Sequence, residues 1–317
     1  MPAWIAYLAC LIGVLGHASS EFVAKLAATP GPEFSVWRFL IGGAFLVIVT
    51  QLWPGARDLI TPLRENGLRI ALLSCLGMAF GQLIFHWALD FADVVQVATI
   101  VTGIPIAVVV VDRLVNGTPM TAPKVVSGIG AFVGVVLLLT NGASADVQFG
   151  GPNLIGTLMA LACAVIGGFY IVLSKPLIQR YGPVRMTAYT FALGFFFLYI
   201  VVGLAWGVWV DPTSLFDKRP EQIAGILTIG IWNTALAMTL WLAGLSFAPD
   251  PQRANYLFFL KPVIAAFLAV LFLGDTLTWM QSLAIFAICA CVALEYVWTQ
   301  SAARRSVDLG PAAAGKD

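Results

Sequence analysis

The amino-acid sequence predicts an all-α polytopic membrane protein of ten transmembrane helices, built as two inverted repeats of five helices each. Three observations lead to this prediction: the composition, the recurrence of long apolar runs, and an internal repeat. Of the 317 residues, 60% are hydrophobic and only 10% are charged, whereas a soluble domain has about 25% charged residues. A soluble fold could not bury that much apolar surface, so the lipid bilayer is expected to cover it.

Apolar runs of the length that a bilayer requires recur from one end of the chain to the other. The run at the N-terminus has no Lys or Arg before it and nine more runs follow, so we interpret it as the first span rather than a cleaved signal. Residues 300–317 are predicted to form a disordered cytoplasmic tail. A window of about 19 residues places the spans at 3–25, 35–53, 67–88, 94–111, 122–140, 153–175, 184–208, 222–246, 254–273 and 279–299.

The basic residues predict the orientation of the chain. If the N-terminus is cytoplasmic, twelve of the 17 Lys and Arg residues lie on the inner side, nine in connections and three in the tail. Cytoplasmic connections are normally rich in these residues. Both termini are therefore predicted to be cytoplasmic, in a multi-pass protein of the cytoplasmic (inner) membrane.

Composition and motifs exclude several classes of function. The net charge of +1 gives no electrostatic reason to expect a nucleic-acid partner. All five cysteines lie within apolar runs and form no C-x-x-C pair, so neither a zinc site nor a disulfide framework is predicted. No nucleotide-binding or hydrolase motif is present. We therefore predict a protein that is not an enzyme and has no cofactor or metal.

The two halves of the chain repeat one another. "TIVTGIPIAVVVV" (99–111) aligns with "YLFFLKPVIAAFL" (256–268), which brings Pro105 onto Pro262 at an offset of 157. Upstream, "ALDFA" meets "GLSFA" at an offset of 156, and Lys25 meets Lys175 at 150. Residues 1–142 and 150–299 are thus predicted to be copies of one five-span unit. Because five is odd, the second copy is inverted in the membrane, an arrangement common in transporters that work by alternating access.

Three short segments give the repeats a family resemblance: "FVAK" closing the first span, "WRFL" opening the second, and "LKPVIAAFLAVLFLGDTLT" in the ninth. With the tandem units, they make the sequence resemble the drug/metabolite transporter superfamily, and specifically its EamA-type ten-helix members. The resemblance implies transport of a small metabolite or drug through a central cavity, often as efflux. The first span of this family usually carries aromatic residues at the positions of His17 and Glu21, so two aromatic positions are ionisable here.

Ionisable residues within the spans are the first candidates for a site. His17, Glu21 and Lys25 are spaced i, i+4, i+8 and lie on one helix face, with Ser20 beside them. Charged groups at a helix centre cost about 2.5–3.5 kcal/mol on insertion scales, so they usually face a cavity or a partner. Two interpretations stay open: an anchoring Glu21/Lys25 pair, or proton-carrying or substrate-contacting roles for Glu21 and His17.

Lys261 is predicted to lie in the cavity and to attract a carboxylate or another anionic group; the alternatives are a snorkelling lysine or a structural bond. The adjacent Pro262 frees a backbone carbonyl, which protein or cavity polarity must compensate at membrane depth. The predicted structural or gating residues are Lys25, Arg38, Pro105 and Pro262. The predicted substrate-binding residues are His17, Ser20, Glu21, Gln82, His86, Tyr170, Trp232, Asn233, Trp241, Tyr256 and Lys261.

Together these features predict a monomeric secondary active transporter that works by alternating access. Its expected substrate is a small polar or zwitterionic metabolite, with an amino acid or related compound favoured, export favoured over import, and protons as the candidate coupling ion. Two alternatives remain at this point: a flippase of a lipid-linked metabolite, and a membrane sensor or assembly factor that does not transport.

Overall fold

A computed structural model describes residues 1–88, 90–92, 94–140, 151–273 and 276–308, and within these ranges it leaves some side chains undescribed. The described residues form helices joined by short turns and contain no β-strand. This agrees with the all-α class expected from the composition.

Seven α-helices make up the first half of the chain. They are α1 (Ala3–Ala27), α2 (Gly31–Leu52), α3 (Thr61–Leu72), α4 (Phe80–Ala88), α5 (Val94–Thr102), α6 (Ile104–Asn116) and α7 (Ala122–Thr140). A π-helical segment, Leu73–Ala79, joins α3 to α4 without a break.

The second half follows the same order. Its helices are α8 (Gly151–Tyr181), α9 (Pro183–Trp206), α10 (Pro220–Thr228), α11 (Ala237–Phe247), α12 (Pro251–Tyr256), α13 (Lys261–Leu273) and α14 (Trp279–Asp308). A π-helical segment, Ile229–Leu236, joins α10 to α11, and a 3₁₀ segment, Leu257–Leu260, joins α12 to α13.

Irregular backbone occurs at equivalent places in the two halves. The π-helical segments begin at Leu73 and Ile229, which are 156 residues apart, and π-helical insertions are rare and frequently found at functional sites. The helix that follows is interrupted at Gly103 in one half and at Leu257–Leu260 in the other, each time just before a proline. The structure thus repeats the irregularities as well as the helices.

Each half packs against the equivalent elements of the other. Helix α1 packs on α10 and α11 as α8 packs on α4, while α2 packs on α9 and α7 on α14. The α1–α11 crossing is close: a Cβ added to Gly16 would lie 2.2 Å from the Cβ of Ala237. Small residues permit such close approach between membrane helices.

Seven helical segments of the described chain are long and apolar enough to cross a membrane. The other three predicted spans correspond to shorter helices: α5 with α6, α12 with α13, and the apolar part of α14, Trp279–Leu294. The breaks at Gly103 and Leu257–Leu260 divide the first two of these spans into pieces. A broken helix is tolerable at membrane depth where it lies against protein or a cavity.

Two helices run past the ends expected from hydropathy. Helix α8 continues through Pro176 to Tyr181, and α14 continues from residue 299 to Asp308. The sequence "QSAARRSV" is rich in Ala and Arg, which favour helix. The first part of the predicted tail is therefore helical, while the prediction for residues 309–317 lies outside the described chain.

Candidate functional site

A cavity of about 90 Å³ lies between the two halves. A water molecule needs about 10–15 Å³ by the same measure, so the cavity has room for several waters or a small ligand. Elements from both halves form its walls: α1, α2, α4, α5, α6, α8, α11 and α13 together with the first π-helical segment and the 3₁₀ segment. Its lining includes seven residues selected from the sequence: His17, Ser20, Arg38, Gln82, Tyr170, Trp241 and Lys261.

Arg38 connects the two halves at this cavity. Its Nε donates a hydrogen bond to Thr234 Oγ1 (2.7 Å), and its Nη1 donates to Gln82 Oε1 (2.9 Å). Thr234 belongs to the π-helical segment of the second half and Gln82 to α4 of the first. Arg38 as a residue is only 5% exposed, and a buried charge is tolerated only when it has hydrogen-bond partners. Both partners are neutral, so neither of them compensates the positive charge of Arg38.

Lys261 brings a second cation to the same cavity. It is the first residue of α13, directly after the 3₁₀ segment, and it is 8% exposed. None of the lining side chains that the structure describes is acidic. Each cation that lines this cavity attracts an anionic group, and low-dielectric walls strengthen that attraction.

Aromatic rings form one wall of the cavity. The rings of His17 and Trp241 meet edge to face with centroids 5.2 Å apart, and Phe258 lies 5.9 Å from His17 and 5.2 Å from Trp241. His17 Nε2 and Trp241 Nε1 are buried and have no hydrogen-bond partner among the described residues. Because the wall consists mainly of ring faces and edges, it can contact the apolar part of a ligand, as in most small-molecule sites.

Tyr170 also lines the cavity, and its hydroxyl lies 3.0 Å from Thr190 Oγ1. Gly77, in the first π-helical segment, keeps the space beside that ring open, since a Cβ there would lie 3.0 Å from Tyr170 Cδ2. The cavity thus combines apolar walls with a few polar groups and two cations.

The lining positions are related by the repeat. Twelve of them form six pairs at the offsets that align the two halves. These pairs are His17 with Gly167 and Ser20 with Tyr170 at 150, Gln82 with Met238 and Phe85 with Trp241 at 156, and Val101 with Phe258 and Ile104 with Lys261 at 157.

Other residues selected from the sequence make contacts between helices and do not line this cavity. His86 Nδ1 lies 2.6 Å from Ser35 Oγ on α2. Asn233 Nδ2 donates to Gly16 O (2.5 Å) and to Ser19 Oγ (2.9 Å), both on α1. These contacts are structural in the conformation described.

Trp232 and Tyr256 are similarly engaged: Trp232 Nε1 donates to Ser19 Oγ (3.2 Å), and the Tyr256 hydroxyl donates to the carbonyl of Lys124. Pro105 and Pro262 are the second residues of α6 and α13, where a missing N–H costs little. The side chains of Glu21 and Lys25 lie outside the described part of the structure.

Several lining residues were not selected from the sequence because they are apolar. Met78, Phe85, Cys163, Met238 and Phe258 line the cavity but resemble ordinary residues of an apolar span. The repeat was the signal that could have found some of them: Phe85 is the equivalent of Trp241, and Met238 of Gln82. Within the described part of the chain, no group of three His, Cys, Asp or Glu side chains could hold a metal ion.

The fold and the cavity define the class: an all-helical membrane protein whose two related halves enclose a polar site. The sequence profile of the EamA-like transporter family matches residues 4–140 and, a second time, residues 154–296. The chain therefore belongs to this family, and the resemblance drawn from the sequence is confirmed. It is a membrane transporter of the EamA, drug/metabolite type.

Three relatives illustrate this membership. The uncharacterized transporter YyaM of Bacillus subtilis (strain 168) is 24% identical over 213 residues, 67% of this chain and 65% of that protein, so the match spans just under two thirds of its length. An uncharacterized transporter of Clostridium kluyveri is 24% identical over 280 residues, 86% of each chain. A protein of Streptantibioticus cattleyicolor named a probable terminal-alkyne amino-acid exporter is 24% identical over 226 residues, 70% of this chain and 68% of that one.

A solved crystal structure has the same fold. It superimposes with a TM-score of 0.79 at 20% sequence identity, covering 95% of this chain and 99% of its own. The two chains therefore share their architecture over almost their whole length.

Proposed function

We propose that this protein is a secondary active transporter that exports a small zwitterionic metabolite, an amino acid or a related compound, by alternating access. The observation that carries the proposal is the pair of cations, Arg38 and Lys261, in a cavity enclosed by the two repeats. Export is favoured because one relative is named a probable amino-acid exporter.

The substrate class follows from the chemistry of the walls. A carboxylate matches the two cations, and a guanidinium can hold it through two parallel hydrogen bonds. The aromatic wall of His17, Trp241 and Phe258 matches an apolar side chain. A cavity of about 90 Å³ favours a compact molecule over a lipid-linked one. An amino acid with an apolar side chain satisfies all three conditions.

We further propose that Glu21 and His17 carry the coupling proton or contact the substrate amino group. Glu21 is one helical turn from His17 on the same face of α1, and His17 lines the cavity. An intramembrane carboxylate is a common proton relay. A carboxylate beside two cations would complement a zwitterion.

The proposed topology has ten spans, with the broken helices α5–α6 and α12–α13 as the fourth and ninth. Both termini are cytoplasmic, the second repeat is inverted, and one copy of the chain in the cytoplasmic membrane is sufficient. The excess of basic residues in the inner connections supports this orientation, and inverted repeats with broken helices near the midplane are typical of secondary transporters.

Counterflow in proteoliposomes tests the substrate class. Labelled L-leucine is compared with 3-methylbutylamine, which lacks the carboxylate, and 4-methylpentanoate, which lacks the amino group. We expect leucine to exchange, the amine not to compete, and the acid to compete weakly. A protein that is folded by size-exclusion chromatography yet exchanges no amino acid from a full panel would contradict the proposal.

An imposed pH gradient tests the coupling. We expect a gradient to drive leucine movement by wild-type protein and not by Glu21→Gln, which keeps the size of the side chain but cannot ionise. Equal dependence on the gradient in both proteins would exclude Glu21 as the proton carrier and leave the substrate proposal standing.

A further inference from the structure

A second cavity, which we call the vestibule, lies next to the central one. It has about 500 Å³ of open space and is lined at the ends of α6, α7, α8, α11 and α12. Ile171 on α8 lines both cavities. The two cavities therefore share a wall residue, Ile171.

One face of α8 continues from the central cavity into the vestibule. Gly167 and Tyr170 line the former, Ile171 lines both, and Lys175 and Gln179 line the latter. The steps of three or four residues keep these positions on one side of the helix. At about 1.5 Å per residue, Lys175 lies about 12 Å along the axis from Gly167.

Charged and polar groups of the vestibule form a network in which Lys124 pairs with Asp250 and Asp112 has neutral partners. Lys124 Nζ lies 2.9 Å from Asp250 Oδ2 and donates to Gln252 Oε1 (2.8 Å). Gln252 Nε2 donates to Asp112 Oδ2 (2.7 Å), and Asn116 Nδ2 donates to Asp112 Oδ1 (2.6 Å). This network joins α6 and α7 of the first half to the start of α12 in the second.

Lys175 lies outside this network. It is half-buried in the vestibule wall, and within the described chain its ammonium has neither an ion pair nor a hydrogen bond, since the recorded contacts of this wall involve other groups. Partial burial weakens the hydration of an ammonium and raises its attraction for an anion.

We propose that Lys175 forms a second carboxylate-binding site. It takes the carboxylate of the substrate in the vestibule, before the molecule passes Ile171 and reaches Arg38 and Lys261. The site rests on the proposed function, because the ligand is the same carboxylate. It adds a capture step one helical turn along α8 from Ile171, which also lines the central cavity.

The test is sided transport of labelled L-leucine in proteoliposomes that hold the full chain in one orientation. We compare wild type, Lys175→Gln, Lys175→Arg and a matched control, Arg180→Gln, which removes a cation from α8 that pairs with Glu65 and does not line the vestibule. Loss of one charge-assisted contact should raise KM from the vestibule side about tenfold in Lys175→Gln. The KM of Lys175→Arg and of Arg180→Gln should stay within about twofold of wild type. The KM of Lys175→Gln measured from the opposite side should also stay within about twofold.

Each outcome separates the site from the function. If wild type exchanges leucine and Lys175→Gln keeps its KM on the vestibule side, the lysine only reaches water and the site is refuted. An equal rise in KM from both sides also refutes the site, because a capture site acts from one side. A rise in KM in Lys175→Arg equal to that in Lys175→Gln refutes it as well, because the site needs only a positive charge. If wild type exchanges no amino acid, the proposed function fails and this site fails with it.

Discussion

The two halves of the protein supply the same positions to the central cavity but different chemistry. In the repeat, His17 of the first half corresponds to Gly167 of the second, Gln82 corresponds to Met238, and Ile104 corresponds to Lys261. Every one of these pairs has one polar or charged member and one that is apolar or glycine.

The difference teaches that duplication built the walls and that later divergence made the site. A symmetric cavity would hold a ligand equally well in two orientations. With Lys261 and Gln82 unmatched, the cavity is polarised, so a ligand with one charged end has one preferred orientation. The sharpest tests therefore exchange a residue for its own repeat equivalent.

The largest effect is expected from Lys261→Ile, which makes the position match Ile104. Removing one of two buried cations should lower the kcat/KM for leucine by about 30–100-fold, since hydrogen bonds to charged groups contribute about 1.5–3 kcal/mol. Exchange kinetics measure it. Lys261→Arg should keep much of the activity, and the volume-conserving Ile104→Met is the control; equal losses in all three would mean that the cavity responds to shape rather than charge.

A smaller effect is expected from Gln82→Met, which reproduces Met238. Arg38 would lose its acceptor at 2.9 Å and keep Thr234 at 2.7 Å, so the guanidinium would remain buried but less well oriented. We expect about a tenfold rise in the KM for leucine, and Met238→Leu is the control. An unchanged KM would show that Thr234 alone orients Arg38.

The helix crossings offer a comparison of stability. Gly16 packs against Ala237 at the crossing of α1 and α11. The repeat equivalents of these two residues are Ile166 and Gly81, which pack against each other where α8 crosses α4. An added Cβ at Gly16 would lie 2.2 Å from Ala237 Cβ, whereas one at Gly81 would lie 3.3 Å from the Cγ2 of Ile166. Gly16→Ala should destabilise by about 1–3 kcal/mol and Gly81→Ala by less, measured as thermal unfolding in detergent. The reverse order would mean that α1 and α11 separate easily.

The smallest effect concerns the loops that precede α3 and α10. Hydrogen bonds from the Thr61 and Ile60 amides hold the pKa of Asp58 below its usual value, and the Thr213 amide does the same for the pKa of Asp211. Because its pKa is lower in the folded state, each aspartate stabilises the fold at a pH above its unfolded-state pKa of about 3.9. That stabilisation is lost as the pH falls through the folded-state pKa.

Asp58→Asn keeps a capping oxygen but cannot titrate. We expect its unfolding temperature to fall less than that of wild type between pH 6 and pH 3, and Asp211→Asn to behave alike. A variant whose acid sensitivity equals that of wild type would show that these aspartates do not contribute to the pH dependence.

The fold was largely predictable from the sequence, while the site was predictable only in part. Hydropathy predicted the all-helical class, and the offset between Pro105 and Pro262 predicted the repeat, whereas the helix breaks before these prolines were not predicted. Which face of a helix meets the cavity depends on packing: Gln82 and Phe85 line it, whereas His86 turns to Ser35 on α2. Asn233 and Tyr256 were selected as polar residues, yet they hydrogen-bond to backbone carbonyls of neighbouring helices.

Ile171, which lines both the vestibule and the central cavity, has a branched hydrocarbon side chain. A narrow apolar constriction excludes water when nothing fills it, and without water inorganic ions cannot cross. A bulky organic molecule, in contrast, brings its own apolar surface to the contact. On the path proposed above, the Ile171 side chain should therefore hinder ion leakage between turnovers.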